Sequence, residues 1–312
     1  MTNQPFLQEV ENDSGLNNLK STQDWLKENK IFIELKLEEH GAIIFKDLPV
    51  KTAEDFDQFV STFNYETFTY EESLSNAVRI NKTNKIFTAN EAPREVEIFL
   101  HHEMAQTPTY PKNIFFFCKS ASETGGETPL CRSDQLYEAL LKEDKTLIES
   151  FEKFGVIYNS IMSSGDELIS GQGRSWQKTL GVSSKNDAEA KLSKLGYSWN
   201  WIEDDNLSVT TKTLQATKEL GNGQKSFFNQ VIAASLGWKK NSENQIAPVR
   251  FGNGEEIKES YIELISELAQ SLTLLRSWQD HDILLIDNYR VMHGRKPFAG
   301  NKNREVLVSL TN

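Results

Sequence analysis

Residues 99–104, FLHHEM, decide how the chain is interpreted, because they place an imidazole and a carboxylate two positions apart. In an extended segment, side chains i and i+2 point to the same side of the backbone. His101 and Glu103 are therefore predicted to face one side and His102 the other, where a structural role is expected for it. Similar runs also occur on protein surfaces, so this triplet indicates a metal site only together with a distant third ligand.

A third ligand is available in residues 287–295, DNYRVMHGR. An apolar strand is predicted at Ile283–Asp287, and His293 follows it in a turn region. Two histidines and one carboxylate form the arrangement that binds iron(II) and leaves three adjacent coordination positions open. His101, Glu103 and His293 are thus the predicted metal ligands, and a zinc hydrolase with the same ligands is an alternative.

Arg304 stands 304 − 293 = 11 residues after His293 and begins the last predicted strand, Glu305–Leu310. We predict that this strand is the hairpin partner of the strand before His293, which would place both side chains in one cavity. A guanidinium binds a carboxylate through two parallel hydrogen bonds. Arg304 is therefore expected to hold the far carboxylate of a dicarboxylic acid.

Four segments carry a family resemblance: FLHHEM (99–104), GGETP (125–129), DNYRVMHGRKPF (287–298) and REVLVSL (304–310). In this order and spacing they resemble the taurine dioxygenase (TauD/TfdA) superfamily, and most closely its branch of syringomycin-type (SyrP-like) aspartyl hydroxylases and clavaminate synthase. The similarity extends from about Ile86 to Leu310, with a poorly matching interval near 160–225. It implies a mainly β fold with flanking helices, a double-stranded β-helix or jelly roll with iron at one open end.

The resemblance also implies the cofactors Fe(II), 2-oxoglutarate and O2, with succinate and CO2 as products of the co-substrate. Thr128 would contact the 2-oxoglutarate carboxylate nearest the metal, and Arg304 would bind the other one. The segment with Phe228 and Asn229 resembles a pocket-lining segment of the family, and Asn90 is a second candidate for contact with substrate. Arg295 is expected either to contact substrate or co-substrate or to form an ion pair.

The chain departs from the family pattern at two positions. Where the taurine enzymes have a sulfonate-binding arginine, four residues after the co-substrate arginine, this chain has Val308. Sulfonates are therefore not the expected substrates. The carboxylate ligand is a glutamate, as in the amino-acid-hydroxylating branch, whereas halogenation would require a small residue at position 103.

Together these features imply a dioxygenase, an oxidoreductase that hydroxylates an unactivated C–H bond of a small polar substrate. The branch indicates an amino acid or amino-acid derivative, free or tethered to a carrier protein, in specialised metabolism. Desaturation or cyclisation at the same iron centre is one alternative. A jelly-roll protein that binds small molecules without turnover is another.

Composition restricts the function classes further. The chain of 312 residues has a formal charge of −11, which disfavours binding to nucleic acid, and no apolar run long enough to span a membrane. The polar N-terminus does not resemble a secretion signal. Cys118 and Cys131 are expected to be reduced thiols, which fits a cytoplasmic protein. The sequence leaves assembly into a homo-oligomer open.

The predicted organisation is a loose leader over residues 1–22 and a single jelly-roll domain over 23–312, with an insertion or lid near 160–235. Helices are predicted at Asp24–Glu38, after a Thr52 cap, and over Ile257–Leu275. The strand Asn113–Lys119 is expected to be buried, because it is short and almost wholly apolar. His40, before a turn glycine, is expected to be solvated.

Overall fold

The computed structural model describes residues 6–13, 15–68, 74–75, 77–166, 173–221, 223–238 and 247–312. Its strands are β1 (Gln8–Val10), β2 (Ala42–Phe45), β3 (Phe87–Thr88), β4 (Ile98–His101), β5 (Asn113–Ser120), β6 (Thr124–Gly125), β7 (Thr128–Arg132), β8 (Val156–Met162), β9 (Ser198–Trp201), β10 (Leu207–Thr210), β11 (Lys218–Gly221), β12 (Gln224–Ser226), β13 (Val249–Phe251), β14 (Thr273–Arg276), β15 (Ile283–Asp287), β16 (Val291–Arg295), β17 (Phe298–Ala299) and β18 (Glu305–Thr311). The helices are α1 (Leu19–His40), α2 (Ala53–Ser61), α3 (Ser133–Glu143), α4 (Lys145–Phe154), α5 (Trp176–Leu180), α6 (Lys185–Leu195), α7 (Val231–Gly237) and α8 (Glu259–Ser271).

Two sheets form the centre of the fold. The larger has the strand order β1-β2-β15-β5-β18-β3, and the smaller has the order β14-β7-β16-β4. Because neighbouring strands in these sheets are far apart in the chain, the order is that of a jelly roll rather than of consecutive hairpins. The fold is thus mainly β with flanking helices, as predicted.

Strand β5 shows why the sheets pack in this way. Ile114, Phe116 and Cys118 point toward the smaller sheet, into a core that also contains Leu130 of β7 and Val291 of β16. The alternate residues of β5 face the opposite side of the larger sheet. This period of two gives each face of the strand its own apolar core.

Helices cover the outer face of each sheet. Phe115 and Phe117 of β5 pack against α1 and α2. Thr52 caps the first turn of α2, as predicted. On the outer face of the smaller sheet, Cys131 and Met292 belong to a core formed with α3, α4, α7 and α8. A further sheet, in the order β13-β8-β10-β9, carries a small core shared with α5 and α6.

Several expectations need correction. The leader was predicted to be loose, but β1 within it pairs in parallel with β2, and α1 already begins at Leu19. The helix predicted over Ile257–Leu275 ends at Ser271, because Thr273–Arg276 form β14 and pair with β7. His40 was predicted to be solvated, yet its side chain is 3% exposed at the end of α1.

The predicted neighbourhood of His293 also differs from the structure. His293 lies within strand β16 rather than in a turn region. The last strand, β18, pairs with β5 and β3, so it is not the hairpin partner of the strand before His293. Arg304 reaches the cavity from the larger sheet, whereas His293 belongs to the smaller one.

Candidate active site

Strands β4 and β16 bring two histidines together. The two strands are antiparallel, and His101 and His293 are partners in their register. Their ring centroids lie 4.5 Å apart. The register shifts between His293 and Arg295, as in a β-bulge, and such irregularities redirect side chains near functional sites.

Glu103 lies just beyond the end of β4, where Asn288 holds its backbone. The Glu103 amide donates to Asn288 Oδ1 over 2.8 Å, and Asn288 Nδ2 donates to the Glu103 carbonyl over 3.1 Å. Asn288 Nδ2 also donates to the carbonyl of Pro111 over 2.8 Å. Asn288 is fully buried. Its hydrogen bonds hold the backbone of Glu103 and thereby fix the position from which the carboxylate extends.

The side chains of His101, Glu103 and His293 form one potential metal-binding group. One nitrogen or oxygen atom from each lies within 4.8 Å of the others. His101 donates a hydrogen bond from Nδ1 to the Phe99 carbonyl over 2.8 Å, which leaves the lone pair of Nε2 free for a metal. Glu103 Oε2 is buried, has no hydrogen-bond partner among the described residues, and lies 3.5 Å from His293 Nε2. This donor set fits a divalent cation such as iron(II).

The electrostatics of the site favour protonation states that can bind a metal. Burial lowers the pKa of His101 to about 4, and the nearby His293 adds to this effect. Burial opposes ionisation of Glu103, but the Arg79 guanidinium and the two imidazoles outweigh it and hold the pKa of this carboxyl below its ordinary value. A neutral imidazole and an ionised carboxylate therefore coexist at neutral pH.

Thr128 and Arg304 line the same cavity as the three metal-binding side chains. Arg304 donates from Nη2 to the Gly126 carbonyl over 3.2 Å, while its buried Nε has no hydrogen-bond partner among the described residues. Gly126 has a φ of +74°, and a Cβ there would lie 2.9 Å from Arg304 Nε, so this glycine makes room for the guanidinium. Trp278 Nε1 donates to Thr128 Oγ1 over 3.0 Å.

The cavity has a volume of about 360 Å³, within the range of small-molecule sites. Asn90 and Arg295, for which contacts with substrate are predicted, both line it. Arg295 is engaged in an unexpected way: its guanidinium donates to four backbone carbonyls, those of Asn90, Ala92, Pro93 and Val96. Within the described part of the chain its guanidinium pairs with no carboxylate, although an ion pair was one of the two expectations for this residue.

Two residues expected at the pocket are not among its lining residues. Phe228 packs on the ring of His102, with centroids 4.5 Å apart, and Asn229 donates to the Ala216 carbonyl over 3.0 Å. The neighbouring Gln230 lines the cavity instead and donates to the His102 carbonyl over 2.9 Å. His102 is fully buried and points away from the cavity, where it donates to the Asn288 carbonyl. The alternation of side chains along the segment thus gives His102 the structural role predicted for it.

Sequence reasoning missed three residues of the site: Arg79, Asn288 and Trp278. Asn288 lies within the DNYR segment, where a polar residue at the end of an apolar strand was the available signal. Trp278 and Arg79 had no such signal, because their contacts with Thr128 and Glu103 join segments that are 150 and 24 residues apart.

Comparisons with known proteins identify the family. Residues 7–310 match the family described as taurine catabolism dioxygenase TauD, TfdA family. A clavaminate synthase-like protein of Arabidopsis thaliana is 32% identical over 286 residues, which cover 91% of this chain and 86% of the relative. The dapdiamide synthesis protein DdaC of Enterobacter agglomerans is 27% identical over 289 residues, covering 88% and 83% of the two chains.

Solved structures show the same fold at low sequence identity. A crystal structure of AAD-2 with Mn(II) and N-oxalylglycine superposes with a TM-score of 0.52 and 15% identity, covering 91% of this chain and 87% of the other. A taurine dioxygenase from Burkholderia xenovorans gives a TM-score of 0.53 and 12% identity, with coverage of 91% and 80%.

The jelly roll and its cavity therefore belong to an Fe(II)- and 2-oxoglutarate-dependent dioxygenase, an oxidoreductase that uses O2 and acts on a small molecule. The chain is a member of the TauD/TfdA family. This membership decides against the alternatives of a non-catalytic binding protein and of a zinc hydrolase.

Among the helices within the described residues, none combines the length and the apolar character that crossing a bilayer requires.

Proposed function

We propose that this dioxygenase hydroxylates an unactivated C–H bond of an amino acid or amino-acid derivative, free or tethered to a carrier, with His101, Glu103 and His293 as its iron ligands. One observation carries the proposal: donor atoms of these three side chains lie within 4.8 Å of one another in a cavity that Thr128 and Arg304 also line. Two imidazole nitrogens and one carboxylate oxygen suit iron(II) and leave positions for co-substrate and O2.

The co-substrate is assigned to Arg304 and Thr128. The unpartnered Nε of Arg304 and its Nη atoms can donate to the distal carboxylate of 2-oxoglutarate, because a guanidinium matches a carboxylate in shape and charge. The Thr128 hydroxyl accepts from Trp278 and keeps its own proton to donate to the carboxylate nearer the metal. Iron with bound 2-oxoglutarate supplies the oxidising chemistry when O2 reacts, and the co-substrate leaves as succinate and CO2.

The protein's own contribution is to orient the substrate and to exclude water. The cavity is also lined by uncharged polar side chains from β8 and from the residues that follow it, and these form its polar wall. The residues of this wall are Asn159, Ser160, Ser163, Asn206 and Gln230. Amide and hydroxyl groups can bind both the ammonium and the carboxylate of an amino acid. We infer that the described residues between 160 and 235 form the lid that completes this wall; residues 167–172 and 222 lie outside the described part of the chain.

Two further observations support the substrate class. Val308, at the position of the sulfonate-binding arginine, is buried in the core between the sheets and does not line the cavity. It therefore offers no charge to a sulfonate. Similarity to the dapdiamide synthesis protein supports a biosynthetic role in specialised metabolism.

The proposal is tested by incubating the protein with Fe(II), 2-oxoglutarate and O2 and a panel of free amino acids and their derivatives. We expect one class of compound to stimulate succinate formation and to gain the mass of one oxygen atom. Loss of two hydrogen atoms would instead indicate desaturation or cyclisation. A thioester-bound amino acid on a carrier protein is tested in parallel.

The Glu103→Ala variant is the matched control for the metal centre. It should retain the fold but lose oxygen-dependent succinate formation, because it lacks one of the three proposed ligands. If the variant retained this activity, the assignment of the ligands would be wrong. If no amino acid or derivative stimulated the wild-type protein while other small molecules did, the substrate class would be wrong and the ligand assignment would stand.

A further inference from the structure

Arg79 contacts one of the proposed metal ligands directly, and it lies outside the four segments that carry the family resemblance. Its Nη2 donates to Glu103 Oε1 over 2.8 Å, and the two side chains are 6% and 4% exposed. We propose that Arg79 is a positioning residue for the metal centre, which holds Oε1 of Glu103 so that Oε2 alone faces the two histidines. This inference rests on the proposed function, in which Glu103 is an iron ligand.

The two oxygens of Glu103 have different surroundings, as the inference requires. Oε1 is engaged by the guanidinium, whereas Oε2 has no hydrogen-bond partner among the described residues and lies 3.5 Å from His293 Nε2. The oxygen without a hydrogen-bond partner, Oε2, is therefore the one that lies beside His293.

Arg79 can restrain the carboxylate because the next residue, Ile80, is anchored to a strand. The Ile80 amide donates to Thr88 Oγ1 over 3.0 Å, and the Thr88 amide donates back to the Ile80 carbonyl over 2.9 Å. Thr88 belongs to β3, which pairs with β18. The guanidinium is thus held from the larger sheet, opposite the strands that carry the two histidines.

A glutamate ligand needs such a restraint more than an aspartate does, because it has one more rotatable bond between backbone and carboxylate. A freely rotating carboxylate can bind a metal through both oxygens and occupy an additional coordination position. The iron centre of this class needs three open positions for its co-substrate and O2. By holding Oε1, Arg79 keeps the carboxylate to a single donor atom.

A different role for Arg79 makes the opposite prediction. If the guanidinium only neutralised the charge of Glu103, it would repel a nearby divalent cation, and its removal would tighten metal binding. If it positions the carboxylate, its removal weakens metal binding, since partners that orient a ligand typically contribute about 10- to 100-fold in affinity. The sign of the change separates the two roles.

The experiment is a titration of the metal-free protein with Mn(II), in which free Mn(II) is measured by electron paramagnetic resonance. Arg79→Met is expected to raise the dissociation constant about 10- to 100-fold. Arg79→Lys should restore part of the loss, because it keeps one donor and the charge but lacks the planar fork. Arg94→Met is the control, since Arg94 is 56% exposed and paired with Glu95, and it should bind Mn(II) like the wild type.

The outcomes distinguish this inference from the function on which it rests. Circular dichroism and thermal melting of each metal-free variant report whether it folds. If Arg79→Met folds and binds Mn(II) as tightly as the wild type or more tightly, the positioning role is wrong. If Arg79→Met does not fold, a wild-type affinity for Mn(II) in Arg79→Lys would also contradict that role. If Glu103→Ala also bound Mn(II) like the wild type, the proposed ligand set itself would fail.

Discussion

His101 and His293 are register partners on the adjacent antiparallel strands β4 and β16, with their ring centroids 4.5 Å apart. Side chains that are directly opposite each other in an antiparallel pair emerge on the same face of the sheet. The proposed iron centre is therefore built on strand pairing, and only the carboxylate of Glu103 comes from outside it. This explains why the residues that hold Glu103 are decisive for the site.

Asn288 is the first such residue. Replacing it with alanine removes three hydrogen bonds and leaves the Glu103 amide and two carbonyls unsatisfied in a fully buried position. We expect Asn288→Ala to lower the free energy of unfolding by about 3 kcal/mol, because each unsatisfied buried group costs roughly 1–3 kcal/mol. Urea denaturation measures this change, and the exposed Asn200→Ala serves as control, with an expected change below about 0.5 kcal/mol. A near-neutral Asn288→Ala would show that the contacts with Glu103 are not needed.

Arg304 is the proposed anchor of the co-substrate. Arg304→Ala should raise the KM for 2-oxoglutarate roughly 30- to 1000-fold, because losing a charge-assisted contact with two hydrogen bonds costs about 2–4 kcal/mol. Steady-state succinate formation at varied 2-oxoglutarate gives this value. Lys302→Ala, two residues earlier and paired with Asp280 at the surface, should leave the KM unchanged. An equal effect of both variants would point to general electrostatic attraction instead of a specific contact.

His102 predicts a dependence of stability on pH. Burial lowers its pKa to about 3 in the folded protein, below the value of an unfolded histidine. Between these pKa values the unfolded state binds more protons than the folded state. The contribution of His102 to the free energy of unfolding is therefore fully present above about pH 6.5 and is lost as the pH falls. One titrating group changes the free energy of unfolding by about 1.4 kcal/mol per pH unit.

The His102→Asn variant isolates this contribution, since asparagine can still donate to the Asn288 carbonyl but does not titrate. From pH 6.5 to pH 5.0, wild type should lose about 2 kcal/mol more stability than the variant. Chemical denaturation of both metal-free proteins at each pH provides the comparison. Parallel curves for the two proteins would contradict the low pKa of His102.

Arg295 organises the cavity edge formed by residues 90–97. It is buried and donates to four carbonyls of this segment. Hydrogen bonds from a charged donor are each worth about 1.5–3 kcal/mol, so Arg295→Met should accelerate amide hydrogen exchange in this segment about tenfold or more. Mass spectrometry after exchange detects the change, with Arg94→Met in the same segment as control. Unaltered exchange in Arg295→Met would show that the segment is held by other contacts.

Much of the fold could be predicted from local pattern. The apolar run of β5 predicted a buried strand, and the Thr52 cap with its aromatic stripe predicted α2. The spacing of His101 and Glu103 predicted that both would face the same cavity, and the structure brings them together with His293. In each case the information lies within a few neighbouring residues or in a short motif.

The predictions failed where the structure depends on distant pairing. Leu274 and Leu275 continue the apolar pattern of α8, yet they form β14 because β7 offers an open strand edge. The ion pair of Arg79 with Glu103 could not be foreseen, since its geometry arises from the pairing of β3 with β18. Phe228 and Asn229 lie at a position expected to face the pocket, but the chain turns them toward His102 and Ala216.

The most direct test of the ligand assignment is a crystal structure of the protein grown with Mn(II) and N-oxalylglycine, phased or checked with the anomalous signal of manganese. We expect one strong anomalous peak within coordination distance of His101 Nε2, Glu103 Oε2 and His293 Nε2, with the distal carboxylate of N-oxalylglycine on Arg304. A manganese peak elsewhere, or a peak that lacks any one of these three side chains as a ligand, would contradict it.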